Sequence, residues 1–207
     1  MSGPAGAGKS TLAEGLAATL GRDRPVDRFG EEELFTRPSF ARVAAGFRGS
    51  GHPVPAEFEE AYGSWLAGLP QDAVAIMDWC PSGMAGDLPW ALADRPGYVR
   101  HLRRVRALAG GRVLQLRLCV PIGQAVDRAA AERGEDWLDR YDRIARAAGH
   151  DQPERRDRIT AWATHHNAAT ELELQAAAEA GWPLETVDAS RSPEEVRAQA
   201  AALVDGR

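Results

Sequence analysis

The sequence predicts an α/β fold with a parallel sheet flanked by helices, and three observations carry that expectation. Short apolar runs alternate with amphipathic helical stretches along the whole chain. The run DAVAIMDW at 72–79 lies between Pro70 and Pro81 and ends in acid and tryptophan, as suits a buried parallel strand. The stretch GPAGAGKST, Gly3 to Thr11, fits G-x-x-x-x-G-K-[ST], the phosphate-binding loop that joins a strand to a helix.

The elements follow in order. After the loop, Leu12, Leu16 and Leu20 recur at helical spacing, and Gly21 supplies a stop. RPVDRF reads as a short strand ending near Asp27, and GEEELF as an acidic helix start whose glutamates suit the positive helix dipole. Pro38 interrupts, SFARVAAGF resumes helical spacing, and RGSGHPVP at 48–55 is a loop before the amphipathic AEFEEAYGSWLAGL. Beyond the 72–79 strand, CPSGMAGDLP is a loop and GYVRHLRRVRALA a helix closed by Gly110 and Gly111. RVLQLRLCV at 112–120 is the next strand, followed by the helix IGQAVDRAAAERG. Residues 133–158 are rich in arginine and acids, helical in character and weak in core-forming side chains, which marks a candidate helical lid. A long helix at about 157–180 leads to the last strand, PLETVDAS, and the last helix, where Ser192 and Glu195 form a capping box with Pro193 at the first helical position.

With 207 residues and no linker or internal repeat, the chain reads as a single domain. The net charge of -5 disfavours nucleic acid and anionic lipid as partners. No apolar run approaches the ~20 residues that span a bilayer, and the polar N-terminus has no signal-peptide core, so a cytoplasmic protein is expected. Cys80 and Cys119 lack metal or disulfide spacing and read as reduced core thiols. A homodimer stays open.

The phosphate loop is the most chemical feature of the chain. Gly3, Gly6 and Gly8 let successive N–H groups turn inward around an anion, with Ala7 between them, and the helix start adds about half a positive charge. Lys9 adds a full charge, about 4 kcal/mol against a phosphate charge at ~4 Å and an effective dielectric of ~20. Among 25 basic residues, Lys9 alone is lysine. Ser10 is placed to give its hydroxyl to Mg²⁺, and Thr11 completes the motif.

From Val113 on, VLQLRLCVPIGQAVDRAAAERGED resembles the fourth strand and following helix of thymidylate kinases and related nucleotide and nucleoside kinases. LETVDASRSPEEVRAQ resembles the segment of those kinases that packs by the adenine ring. The resemblance implies a three-layer P-loop NTPase fold, ATP and Mg²⁺ as cofactors, and Arg128 and Arg133 as cations on the phosphates. Its pattern departs at DWCPSGMAG, which keeps Asp78, Ser82 and Ala85 but has Trp79 where those kinases place an arginine. A nucleoside monophosphate acceptor is therefore disfavoured. The glutamate base of nucleoside kinases aligns only with Arg24.

The candidate acceptor-orienting acid is Asp27, expected at the carboxyl end of its strand, with Glu31 in reserve; a capping or surface role for Asp27 is the plainer alternative. Asp78 would hold Mg²⁺-bound water or the acceptor, or make a structural hydrogen bond. Trp79 would wall an aromatic acceptor or pack in the core. Arg128, Arg133, Arg140 and Arg143 are lid cations or solvated surface. His165 and His166 are adjacent on a helix and suit surface or lid contact rather than a metal.

The function these readings imply is transfer of the ATP γ-phosphoryl group to a hydroxyl of a small molecule, a nucleoside-like compound or another natural product. The alternatives are an antibiotic-inactivating enzyme resembling chloramphenicol phosphotransferases, and a nucleotide-binding regulator without transfer. In kinases of this architecture a mid-sheet strand precedes the loop, whereas here the loop starts two residues after Met1. A strand of about five apolar residues, worth roughly 8 to 15 kcal/mol of burial, is thus expected upstream of Met1 in the natural protein.

Overall fold

The computed structural model describes residues 1–50, 54–78 and 94–205. Helix α1 (Lys9–Leu20) leads to strand β1 (Val26–Phe29), two 3₁₀ turns (Glu31–Phe35 and Pro38–Phe40), α2 (Ala41–Ser50) and α3 (Pro55–Ala67). Then come β2 (Val74–Met77), α4 (Arg95–Leu108), β3 (Gln115–Cys119), α5 (Ile122–Ala147), α6 (Arg155–Glu179), β4 (Leu184–Asp188) and α7 (Pro193–Asp205). The result is a helix-rich α/β protein with short parallel strands.

The strands form two parallel pairs. Val26 to Phe29 of β1 register with Val74 to Met77 of β2, and Gln115 to Cys119 of β3 with Leu184 to Asp188 of β4. The start of the chain lies between the pairs: the Met1 ammonium donates to Met77 O at 2.8 Å, and Ser2 bridges in parallel to Arg117 of β3.

Alternation along the strands feeds apolar clusters on both faces. Val74 and Ile76 pack with Leu12, Leu16 and Leu20 of α1 and Val196 of α7. Ala75 and Met77 pack on the other face with Phe58, Trp65, Tyr98 and Leu102 from α3 and α4. Burial on both faces explains why the stretch AVAIM at 73–77 is apolar throughout rather than alternating with polar residues.

Several boundaries differ from the sequence expectation. Strand β1 runs on to Phe29, fully buried between Phe40 and Trp65, so Asp27 sits within the strand rather than at its end. GEEELF forms a 3₁₀ turn instead of opening an α-helix. The helix after β3 continues well into the expected lid, broken only at Gly134, whose φ of 72° leaves helical space. That lid carries more core than its composition suggests: Trp137 and Ala145 are buried, and Trp137 packs with Val126, Ala129 and Ile159. Arg158 ties it down by donating to Asp142 at 2.7 Å and to Pro153 O at 2.7 Å. The Ser192–Glu195 capping box is present, with Ser192 N–H donating to Glu195 at 3.1 Å. Cys119 is a half-buried thiol. Trp79, Cys80, Ser82 and Ala85 lie outside the described residues. Among the described residues, no helix is long and apolar enough to cross a membrane.

Candidate functional site

The loop before α1 is shaped by two glycines for different reasons. Gly6 has φ 81°, and a Cβ there would meet Ala125 O of α5 at 2.0 Å, so only glycine lets the loop lie against that helix. Gly8, at φ 83° and ψ 26°, caps α1 in the left-handed region with open space where a Cβ would go. Behind it, the first-turn amides of α1 have no helical carbonyl to pair with and present the positive end of the helix dipole. Ala7 is buried beneath the loop in the α1 cluster and serves packing.

Lys9 folds back over the loop, its Nζ donating to Gly3 O at 2.9 Å and Pro4 O at 3.1 Å. Burial pushes its ammonium below the usual lysine range, an effect that the Glu31 and Asp78 carboxylates oppose and Arg133 reinforces. Those four residues face a cavity of about 380 Å³ together with Gly3, Gly6, Gly8, Ser10 and Thr11.

The acids come from two elements pinned together. Asp78 follows the last residue of β2, is 5% exposed, and its Oδ1 accepts the Glu31 N–H at 3.1 Å. This bond holds the start of the 3₁₀ turn against the end of the strand, so Glu31 and Glu32 present exposed carboxylates to the cavity.

The opposite wall is aromatic. Trp137 stacks on Tyr141 with centroids 4.5 Å apart, Tyr141 meets Trp162 edge-on at 5.2 Å, and Trp162 stacks on His166 at 5.2 Å. All four line the cavity. The buried Trp137 Nε1 has no hydrogen-bond partner among the described residues, an arrangement that a ligand acceptor atom would relieve.

No family model matches the chain, and no curated protein matches it either.

The expected site residues divide into two groups. Gly3, Gly6, Gly8, Lys9, Ser10, Thr11, Asp78 and Arg133 are gathered at the cavity, as is the reserve acid Glu31. Asp27 is elsewhere: Arg37 grips both of its oxygens, and Trp65 Nε1 donates to Oδ2 at 2.6 Å. Its place within β1 and this full set of donors give it a structural task. Arg128 also points away, donating to Ala189 O at 2.6 Å and Ser190 O at 3.3 Å, and so clamps α5 to the turn after β4. Arg140 lies 6.0 Å from the Tyr141 ring, and Arg143 is exposed. His165 meets His150 at 6.0 Å, while His166 belongs to the cavity wall.

Glu32 and the aromatic wall were not singled out by sequence. A signal existed for the wall: Trp137 with Tyr141, and Trp162 with His166, are i, i+4 pairs that share a helix face. Among the described residues no three His, Cys, Asp or Glu side chains converge as a metal site.

Proposed function

We propose that the protein is an ATP-dependent phosphotransferase of three-layer P-loop NTPase architecture that phosphorylates a hydroxyl of a small, ring-bearing molecule. The observation that carries this reading is the juxtaposition of Lys9 and the α1 first turn with the Glu31, Glu32 and Asp78 carboxylates across one cavity. A cation and inward amides suit the phosphates, and acids beside them suit the metal and the attacking hydroxyl.

Lys9 and the first-turn amides would hold the β- and γ-phosphates, and Arg133 would neutralise the transferring oxygens. Mg²⁺ favours a few carboxylate and hydroxyl oxygens completed by substrate phosphates over an all-protein cage. Ser10 and Asp78 fit that role and would anchor the ion on the nucleotide. Glu31 or Glu32 would orient the acceptor hydroxyl and take its proton as the new O–P bond forms and the bond to the ADP leaving oxygen breaks. Trp137, Tyr141 and Trp162 offer ring faces, and Trp137 an indole N–H without a partner among the described residues, which suit a planar, uncharged acceptor of nucleoside or aromatic-antibiotic type.

The test is a panel of nucleosides, nucleotides and hydroxylated aromatic antibiotics with ATP and Mg²⁺, read by ADP release and by the acceptor's mass gain of one phosphate. Acceptor-dependent ADP with a phosphorylated product is expected. ADP release indifferent to every acceptor would contradict transfer and leave a nucleotide binder or hydrolase.

A further inference from the structure

The charged side chains around the loop cavity do not balance. Its walls carry the carboxylates of Glu31, Glu32, Asp78 and Glu132 against the cations Lys9 and Arg133. Asp78 is buried and spends one oxygen on the Glu31 N–H, whereas the three glutamates are exposed. Nearby arginines are engaged elsewhere: Arg28 pairs with Glu14 at 2.6 Å, Arg37 with Asp27 and Glu33, and Arg156 with Asp127 at 2.7 Å. Among the described residues, none of Glu31, Glu32 and Glu132 forms an ion pair. Glu132 reaches the cavity because it lies two turns beyond Ala125, the residue on which Gly6 rests, and so on the loop's side of α5.

The size of the cavity makes this imbalance felt throughout it. A sphere of 380 Å³ is about 9 Å across, close to the ~10 Å screening length at ~0.1 M salt, so a charge inside senses every acid on the wall. An uncharged molecule does not. That the cavity takes a ligand is indicated separately by Trp137, which lines it at 8% exposure with an indole N–H that has no partner among the described residues. Phosphoryl transfer changes the charge of the acceptor. As its oxygen bonds to phosphorus, its proton passes to a glutamate and on to solvent, and ADP departs with the electrons of the broken bond. A neutral alcohol thereby becomes a phosphate ester carrying about 1.5 to 2 negative charges at neutral pH.

We propose that Glu132, together with Glu31 and Glu32, makes the acceptor side of the cavity a charge gate. It admits an uncharged hydroxyl compound, refuses one that already bears a phosphate or carboxylate, and drives out the phosphorylated product. The proposal rests on the phosphotransferase reading and adds to it a specificity-determining residue that takes no part in bond making. Lys9 and Arg133 do not cancel the effect, because the nucleotide phosphates occupy them.

The test uses small charged probes that need no knowledge of the acceptor. Quenching of Trp162 fluorescence, isolated as the signal lost in Trp162→Phe, is measured with iodide, caesium and acrylamide at low ionic strength. The unaltered protein is compared with Glu132→Gln and Glu132→Lys. Relative to neutral acrylamide, caesium is expected to quench several-fold better than iodide, and iodide quenching to rise about 2-fold in Glu132→Gln and about 4-fold in Glu132→Lys. Equal quenching by iodide and caesium in the unaltered protein, or iodide quenching indifferent to both substitutions, would overturn the proposal. The outcome is separable from the kinase reading: asymmetric quenching in a protein that phosphorylates no acceptor would sink transfer and keep the charge selection, and transfer without asymmetry would do the reverse. For the first acceptor that the panel yields, the phosphorylated product should inhibit Glu132→Lys about 10-fold or more strongly than the unaltered enzyme, with the KM of the neutral acceptor within about two-fold. Equal product inhibition in the two would overturn the expulsion.

Discussion

Arg37 clasps Asp27 with both arms of its guanidinium, Nη1 to Oδ2 at 2.8 Å and Nη2 to Oδ1 at 2.9 Å. The same guanidinium donates to Arg28 O at 2.7 Å and to Glu33 at 2.7 Å, and lies 4.6 Å from the Phe29 ring centre. Asp27 is thus the hub that fastens the 3₁₀ turns to β1. Asp27→Asn is expected to lower unfolding stability by about 1–3 kcal/mol in urea titrations while leaving nucleotide affinity within about two-fold. A loss of turnover at full stability would return Asp27 to the chemistry.

Two buried or partnered groups give stability a pH dependence of one sign. Hydrogen bonding from Arg37, aided by Trp65, holds the Asp27 carboxyl below its usual range, so its contribution is present above the unfolded carboxylate pKa of about 4 and is lost as pH falls. Burial lowers the His101 imidazole, against the pull of Glu59 at 2.6 Å, so its neutral form is favoured in the folded state. Stability should therefore fall, by at most about 1.4 kcal/mol per pH unit, from pH ~6.5 downward, and fall again below pH ~4. His101→Gln should remove the first decline and keep the second, as read by denaturation at a series of pH values.

Gly6 and Gly8 share a positive φ but not surroundings, and alanine separates the two constraints. At Gly8 only backbone strain acts, costing about 1–2 kcal/mol. At Gly6 the added methyl meets Ala125 O at 2.0 Å and must push the loop off α5. Gly6→Ala is expected to lower the melting temperature further than Gly8→Ala and to weaken phosphate binding by about 10-fold or more. Equal effects would mean that the loop is not braced on α5.

Glu31→Gln and Glu32→Gln test the acids. Each keeps shape and removes a charge, so the residue that takes the hydroxyl proton should lose about 10²- to 10⁴-fold in kcat with little change in ATP affinity. The other variant should retain most activity. If neither slows turnover, the acceptor hydroxyl is oriented elsewhere.

The sequence made legible what is local. The glycine-rich loop before α1, the capping box at Ser192 and the strand Val74–Met77 within the 72–79 run each follow from a few neighbouring residues. What escaped depended on distant ones. Asp27 looked available because nothing near it in the chain announced Trp65, 38 residues away. Arg128 resembled a phosphate ligand until its carbonyl partners, about 60 residues on, came into view. Glu32 is indistinguishable from its neighbours in an EEE run, and contacts distant in the chain sort them: Asp78 accepts the Glu31 N–H at the cavity, while Arg37 holds Glu33. The core content of residues 133–158 was underrated because a buried Trp137 counts for little in a charged segment until Ile159 of α6 covers it.

The central claim is that Lys9 and the α1 first turn hold nucleotide phosphates, and calorimetric titration of ATP with Mg²⁺ into the protein and its Lys9→Ala variant tests it most directly. One saturable site is expected, weakened about 10²- to 10³-fold by the substitution, with the fold preserved by circular dichroism. Absence of binding at millimolar ATP, or equal affinity in the two proteins, would contradict it.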